Sequence, residues 1–188
     1  RTVDMYYWKM EHLREAGSNE KEISNNEEVR HWMKLADLLT PISKYYCSEM
    51  CNRIAYDALQ IHGGSGFTED YDIARIYRDA RITSIYDGTT QIQVMAAIGG
   101  IVSGMSSTGH FRKYLLNEIS KFSASPKILT LFELLEEAVV AYKEIKSTEV
   151  RDSFSVELVE VATRVLAGIQ LEKTSSMLAG EEKGNRAK

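Results

Sequence analysis

Apolar residues recur along this chain at three- and four-residue spacing almost from end to end, and no stretch alternates as a half-buried strand does. In the first segment Val3, Tyr6, Met10 and Leu13 form one such stripe, and Gly17 offers a helix stop. The polar run GSNEKEISNN follows as a loop, in which Ser24 and Glu27 have the spacing of a capping box opening the next helix. That helix is long. Its stripe is Val29, Met33, Ala36 and Leu39, resuming as Tyr46, Met50, Ile54 and Ala58, and Pro41 between them is expected to kink or break it. Next come an HGGSGF turn, a short helix around Ile73–Ala80 and a tight connection through Ser84–Gly88. A further helix starts near Thr89, with Ile92, Met95 and Ala96 expected inward.

Past Gly104 the run GMSSTGH is rich in glycine and serine and marks a boundary. The reading is therefore two parts, residues 1–104 and 105–188, the second a helical extension. Its stripes are Phe111, Leu115, Ile119 and Phe122; then Ile128, Leu131, Leu135, Val139 and Tyr142; then Phe154, Leu158, Val161, Val165 and Ile169. The tail GEEKGNRAK is charged and expected to fray. The fold class expected is all-α, an antiparallel bundle of about seven helices.

Composition narrows the function. The chain has 188 residues, 44% hydrophobic and 27% charged, with a formal net charge of −4. Its pI of about 5.7 argues against a nucleic-acid partner, which calls for a basic face. No apolar run approaches the ~20 residues that cross a bilayer, and RTVDMYYWKM is neither a signal nor a transit peptide, so a cytoplasmic location is expected and membrane association is not. Cys47 and Cys51 stand four apart in a helical segment, a spacing poor for a disulfide, and are read as reduced, partly buried thiols. Further ligands for a metal are not evident beside them. The chain begins at Arg1 inside a helical pattern and is read as part of a longer protein.

Three motifs between Gln60 and Gln91 carry what chemistry there is. In His62-Gly63-Gly64-Ser65-Gly66-Phe67 the paired glycines permit positive φ and leave backbone amides open to a ligand, or simply end a helix. Gln60 just before them can donate and accept from its amide. In Arg75-Ile76-Tyr77-Arg78-Asp79-Ala80-Arg81, Arg75 and Asp79 fall at i, i+4 and suit a structural ion pair. In Tyr86-Asp87-Gly88-Thr89-Thr90-Gln91 the carboxylate either caps the following helix or acts as a general base. Thr89, Thr90 and Gln91 fall in the first turn, whose free amides suit an anionic or polar ligand.

The order QIHGGSGF, YRDARI, IYDGTTQIQ closely resembles the C-terminal helical domain of acyl-CoA dehydrogenases over about residues 28–104. LADLLTPISKYYCSEMCNRIAYDALQIHGG resembles the longer bacterial members, which carry a helical C-terminal extension. The resemblance implies FAD as cofactor, with Gln60, Gly63 and Gly64 on the flavin of a neighbouring subunit and Thr89 and Gln91 also contacting FAD. It implies an acyl-CoA substrate, with Tyr86 and Gly88 against the thioester and Asp87 removing the α-proton. An electron-transfer flavoprotein type of acceptor and a homo-oligomer, dimer or tetramer, are implied as partners. One departure stands out: the family more often has Glu where this chain has Asp87, one methylene shorter. The family's N-terminal helical and central β-domains are not among these residues, so the fragment itself is expected to be inactive. Two alternatives remain: a non-catalytic helical assembly module of the same fold, and a flavin acyl-CoA oxidase or monooxygenase relative.

Overall fold

A computed structural model describes residues 2–186, and the side chains of residues 2–179. Among the described residues all regular structure is helical: α1 (Thr2–Glu15), α2 (Glu20–Asn25), α3 (Glu27–Ile61), α4 (Gly64–Phe67), α5 (Ile73–Ile82), α6 (Thr90–Gly104), α7 (His110–Ile119), α8 (Pro126–Glu144), α9 (Thr148–Ser153) and α10 (Ser155–Arg186). The all-α expectation holds. The number of helices is larger than expected because short turns of helix, α2 and α4, occupy segments that read as a loop and a turn, and α9 falls between two of the apolar stripes. Of the tail expected to fray, the helix continues to Arg186, and Ala187 and Lys188 lie outside the described residues.

Helix α3 is the spine. It packs against α1, α5 and α6, and also touches α7 and α10. Pro41 does not break it: α3 runs through this residue, which is buried. A proline in a helix interior removes one hydrogen bond and costs about 3 kcal/mol in isolation. Here the same turns bury Leu35, Leu38, Ile42 and Tyr45, and that burial outweighs the defect.

Helix starts differ in detail from the reading. The capping box lies one step earlier, where Asn19 accepts from the Glu22 amide at 3.0 Å and Glu22 accepts from the Asn19 amide at 3.0 Å. Asn26, not Ser24, caps α3, accepting from the amides of Glu28 and Val29. Ser24 instead donates to the Lys21 carbonyl. In a run as rich in Asn and Ser as GSNEKEISNN several residues can cap, and the backbone turn selects among them. Likewise Arg75 pairs with Asp72 at 3.2 Å and not with Asp79 as expected. Both spacings reach across one helix face.

One apolar core joins α3, α6, α7, α8 and α10. Leu35 from α3, Val94, Ala97 and Ile101 from α6, Phe111 and Leu115 from α7, Leu135 from α8 and Val159, Ala162 and Ile169 from α10 belong to it. The expected α6 face is wrong: Ile92, Met95 and Ala96 are exposed, and Val94, Ala97, Ile98 and Ile101 are inward. Apolar residues surround α6 on every side, so the pattern offers no direction, and the contact with α3 chooses one. Similar one-position shifts leave Met33, Ile54, Leu131 and Phe154 exposed. Helix α1 buries no residue fully.

Among the described residues Glu118 is the one buried carboxylate. It receives Lys121, Lys173 at 2.5 Å and Gln170 at 3.3 Å, tying α7 to α10. Burial pushes its pKa up, but the hydrogen bonds from Lys121, Lys173 and Gln170 outweigh burial and hold it at about 2, against an ordinary 4.5. A depressed folded-state value stabilises fully above the unfolded value and is lost as pH falls from about 4.5 toward 2. The contribution is on the order of 3 kcal/mol. Urea midpoints taken at pH 7 and pH 3 should therefore drop steeply for the wild type and much less for Glu118→Gln; parallel acid profiles would remove Glu118 from the account.

Candidate functional site

The turn between α5 and α6 holds the candidate residues Tyr86, Asp87, Gly88 and Thr89. Helix α5 closes at Thr83, whose hydroxyl donates to the Ala80 carbonyl at 2.7 Å. The amides of Ile85 and Tyr86 both return to Ile82. The chain then takes two consecutive left-handed residues, Asp87 at φ 49 and Gly88 at φ 90. Asp87 is the single non-glycine with positive φ among the described residues. Aspartate tolerates this region better than most side chains, glutamate included. At Gly88 a side chain would meet the Gln93 amide nitrogen at 2.5 Å. That amide donates to the Asp87 carbonyl at 2.9 Å and steadies the turn from below.

Asp87 does not cap α6. Thr89 does, in extended conformation, with its hydroxyl accepting from the Ile92 amide at 3.5 Å. With the cap supplied two residues later, the Asp87 carboxylate is exposed and has no capping duty. Tyr86 beside it is half exposed, and the Lys44 ammonium lies 4.8 Å over its ring. Thr89 and Gln91 are exposed, Gly88 is partly covered, and so the turn presents Tyr86, Asp87, Gly88, Thr89 and Gln91 together.

Side chains of α3 hold both ends of this turn, and sequence reasoning did not single them out. Lys44 donates to the Thr83 carbonyl, and the Asn52 amide reaches the Thr83 hydroxyl at 3.4 Å. At the other end Glu49 accepts from the Thr90 hydroxyl at 2.5 Å. The Thr90 amide closes the loop on the Ser84 carbonyl at 3.3 Å. Their signal in the sequence is weak, because α3 carries many other polar residues and only the contact with the turn sets these apart.

The second cluster lies at the C-terminal end of α3. His62 caps the helix, Gly63 turns the chain at φ 60, and α4 begins at once. Gln60, Gly63 and Gly64 are exposed, and a Cβ on either glycine would meet nothing within 4 Å. Gly66 is the constrained one, since a Cβ there would lie 2.6 Å from the Leu59 carbonyl oxygen. Ile61 and Phe67, at 85% and 84% exposure, flank the open backbone. The two clusters do not converge. Glu49 marks the turn and Gln60 the glycines, and eleven residues of helix separate them by roughly 16 Å.

A groove of about 770 Å³ runs from Tyr86 along α3 to α10, with Lys44, Cys47, Cys51, Leu166 and Ala167 in its walls. Both cysteines are exposed free thiols and not partly buried as expected, because their face of α3 turns into this open groove. No described helix is long and apolar enough to cross a membrane.

Residues 20–101 match the sequence profile described as acyl-CoA dehydrogenase, C-terminal domain. Butyryl-CoA dehydrogenase of Syntrophomonas wolfei subsp. wolfei is 28% identical over 173 residues, covering 86% of this chain and 28% of that protein. The subunit CarC of the caffeyl-CoA reductase-Etf complex of Acetobacterium woodii is 47% identical over 64 residues, covering 34% of this chain and 16% of its own length. The solved structure of Bd2924 in its apo form matches with a TM-score of 0.62 and 22% identity over 83% of this chain and 28% of that one, a likeness of fold. The matched segments cover less than a third of the length of each of these proteins.

Proposed function

We propose, from the membership of residues 20–101 in the acyl-CoA dehydrogenase family as its C-terminal domain, that this chain is the C-terminal part of an FAD-dependent acyl-CoA dehydrogenase. In this reading the whole protein oxidises an acyl-CoA thioester to the trans-2-enoyl-CoA and passes electrons to an electron-transfer flavoprotein type of acceptor. A relative from an Etf-containing complex supports that choice of acceptor. Cytoplasmic location and assembly as a homo-oligomer, dimer or tetramer, belong to the same proposal. So does the division at residue 104, with residues 105–188 as an extension.

The observation that carries the reading is the Asp87 turn. A carboxylate is held in a left-handed conformation, exposed, relieved of capping by Thr89, and set beside a tyrosine. Backbone held in a sparsely populated region is a mark of functional sites. The residues present also fit a flavin: the backbone at Gly63 and Gly64 is uncovered, and Gln60, Thr89 and Gln91 offer exposed polar groups. The separation of the two clusters suits a glycine end that meets the cofactor of a neighbouring subunit while the Asp87 turn meets its own substrate.

FAD, which Gln60, Gly63, Gly64, Thr89 and Gln91 would hold, would supply the acceptor for the hydride of the substrate β-carbon. Asp87 takes the proton from the α-carbon, leaving the electron pair of that C–H bond to form the new Cα–Cβ double bond. Tyr86 and Gly88 pack against the thioester, and the exposed Gln91 lies beside them in the first turn of α6. The experiment is anaerobic addition of saturated acyl-CoA to the full-length protein. Loss of the flavin's visible absorbance with appearance of enoyl-CoA is the expected result; an unchanged spectrum across short-, medium- and long-chain substrates contradicts it and favours a non-catalytic assembly module.

A further inference from the structure

The Asp87 turn is unusual in needing support from outside itself. Of the two successive residues at positive φ, Gly88 adopts it freely, whereas the strained conformation of Asp87 persists only where neighbours over-determine it. The upstream end has two such neighbours, since Lys44 and Asn52 both reach Thr83. The downstream end is held from α3 by one side chain, Glu49, through the Thr90 hydroxyl at 2.5 Å. A hydroxyl donating to a carboxylate is among the stronger neutral-to-charged hydrogen bonds, and this one also places negative charge against the first turn of α6, where the helix dipole favours it. Glu49 is half buried, and Thr90 is half buried with it, so the bond is shielded from competing water.

We propose that Glu49 is a positioning residue for the reaction: by accepting the Thr90 hydroxyl it fixes the downstream end of the turn and thereby sets where the Asp87 carboxylate stands. The inference rests on the reading of Asp87 as the base. Glu49 itself touches neither substrate nor cofactor in this account. Losing it leaves Thr90, Thr89 and Gly88 free to relax, and a displacement of the base by about 1 Å is worth ~10²-fold in rate.

The test compares Glu49→Ala, Glu49→Gln, Thr90→Val and the double variant Glu49→Ala/Thr90→Val in the full-length protein. Thr90→Val keeps the shape of the side chain and removes only the hydroxyl, so it reports on the bond if Glu49→Ala folds poorly. Glu49→Ala and Thr90→Val should each lower kcat by ~10–100-fold with KM changed little, and each should speed amide hydrogen exchange over residues 86–91. Glu49→Gln, whose side-chain oxygen can still accept from Thr90, should recover most of the lost kcat. The double variant should be no worse than either single one, because both remove the same bond. Unchanged kcat and exchange in Glu49→Ala and Thr90→Val, or additive losses in the double variant, would overturn the proposal. Asp87→Asn run alongside separates the two claims. Full turnover in that variant would refute the base, whereas the exchange data judge the Glu49 bond on their own.

Discussion

Replacement of Asp87 by asparagine is expected to slow acyl-CoA oxidation by ~10²–10⁴-fold, the contribution of a positioned general base, while acyl-CoA affinity changes little. Asparagine keeps the size and the tolerance for positive φ that position 87 demands, so the turn and the Gln93 bond to its carbonyl should survive. Only the capacity to take a proton is lost. Rapid mixing with substrate gives the rate of flavin reduction, and titration with a non-oxidisable analogue gives the affinity. A variant that turns over as fast as wild type would remove Asp87 as the base and send the search to another carboxylate. The use of Asp where the family more often has Glu has a conformational reason in this turn. At φ 49 the shorter side chain is the better tolerated of the two, and the loss of reach is one methylene.

Truncating Phe111 to alanine should cost about 3–5 kcal/mol, the range for a large aromatic removed from a close-packed site. Phe111 is 1% exposed and sits where α7 meets α6, so closely that a Cβ on Gly104 would lie 2.8 Å from its own. It therefore joins the part that matches the family to the part beyond residue 105. Because Leu35, Ile101, Leu115, Leu135 and Val159 share that core, the loss should appear in a single cooperative transition. Urea unfolding followed by both far-ultraviolet and near-ultraviolet dichroism checks this. Two separable transitions, with only the later residues affected, would mean that the extension folds by itself.

Much of this architecture was legible from spacing alone. Periodic apolar residues revealed the helices, and Leu135, Val139, Tyr142, Leu158, Val165 and Ile169 were read as inward and are buried. What spacing could not resolve was the face of a helix that is apolar all round, as at Ile92 and Met95, or which of several asparagines caps a helix, as at Asn19 and Asn26. Pro41 shows the opposite limit, where local chemistry says break and tertiary packing overrules it. At the candidate site the residues of the Asp87 turn were readable from motif order, since Asp, Gly and Thr at consecutive turn and cap positions have clear backbone roles. Glu49 and Asn52 were not, because what they do depends on a contact with residues some thirty to forty positions away. Long-range hydrogen bonds leave no periodic trace in the chain.

The most direct measurement is a crystal structure of the full-length protein with FAD and a non-oxidisable acyl-CoA analogue. A base and its proton's carbon should stand about 3–3.5 Å apart in a competent complex. The account predicts an Asp87 carboxylate oxygen at that distance from the substrate α-carbon, with Glu49 still holding Thr90. A carboxylate from another helix in that place, with Asp87 turned to solvent, would contradict it.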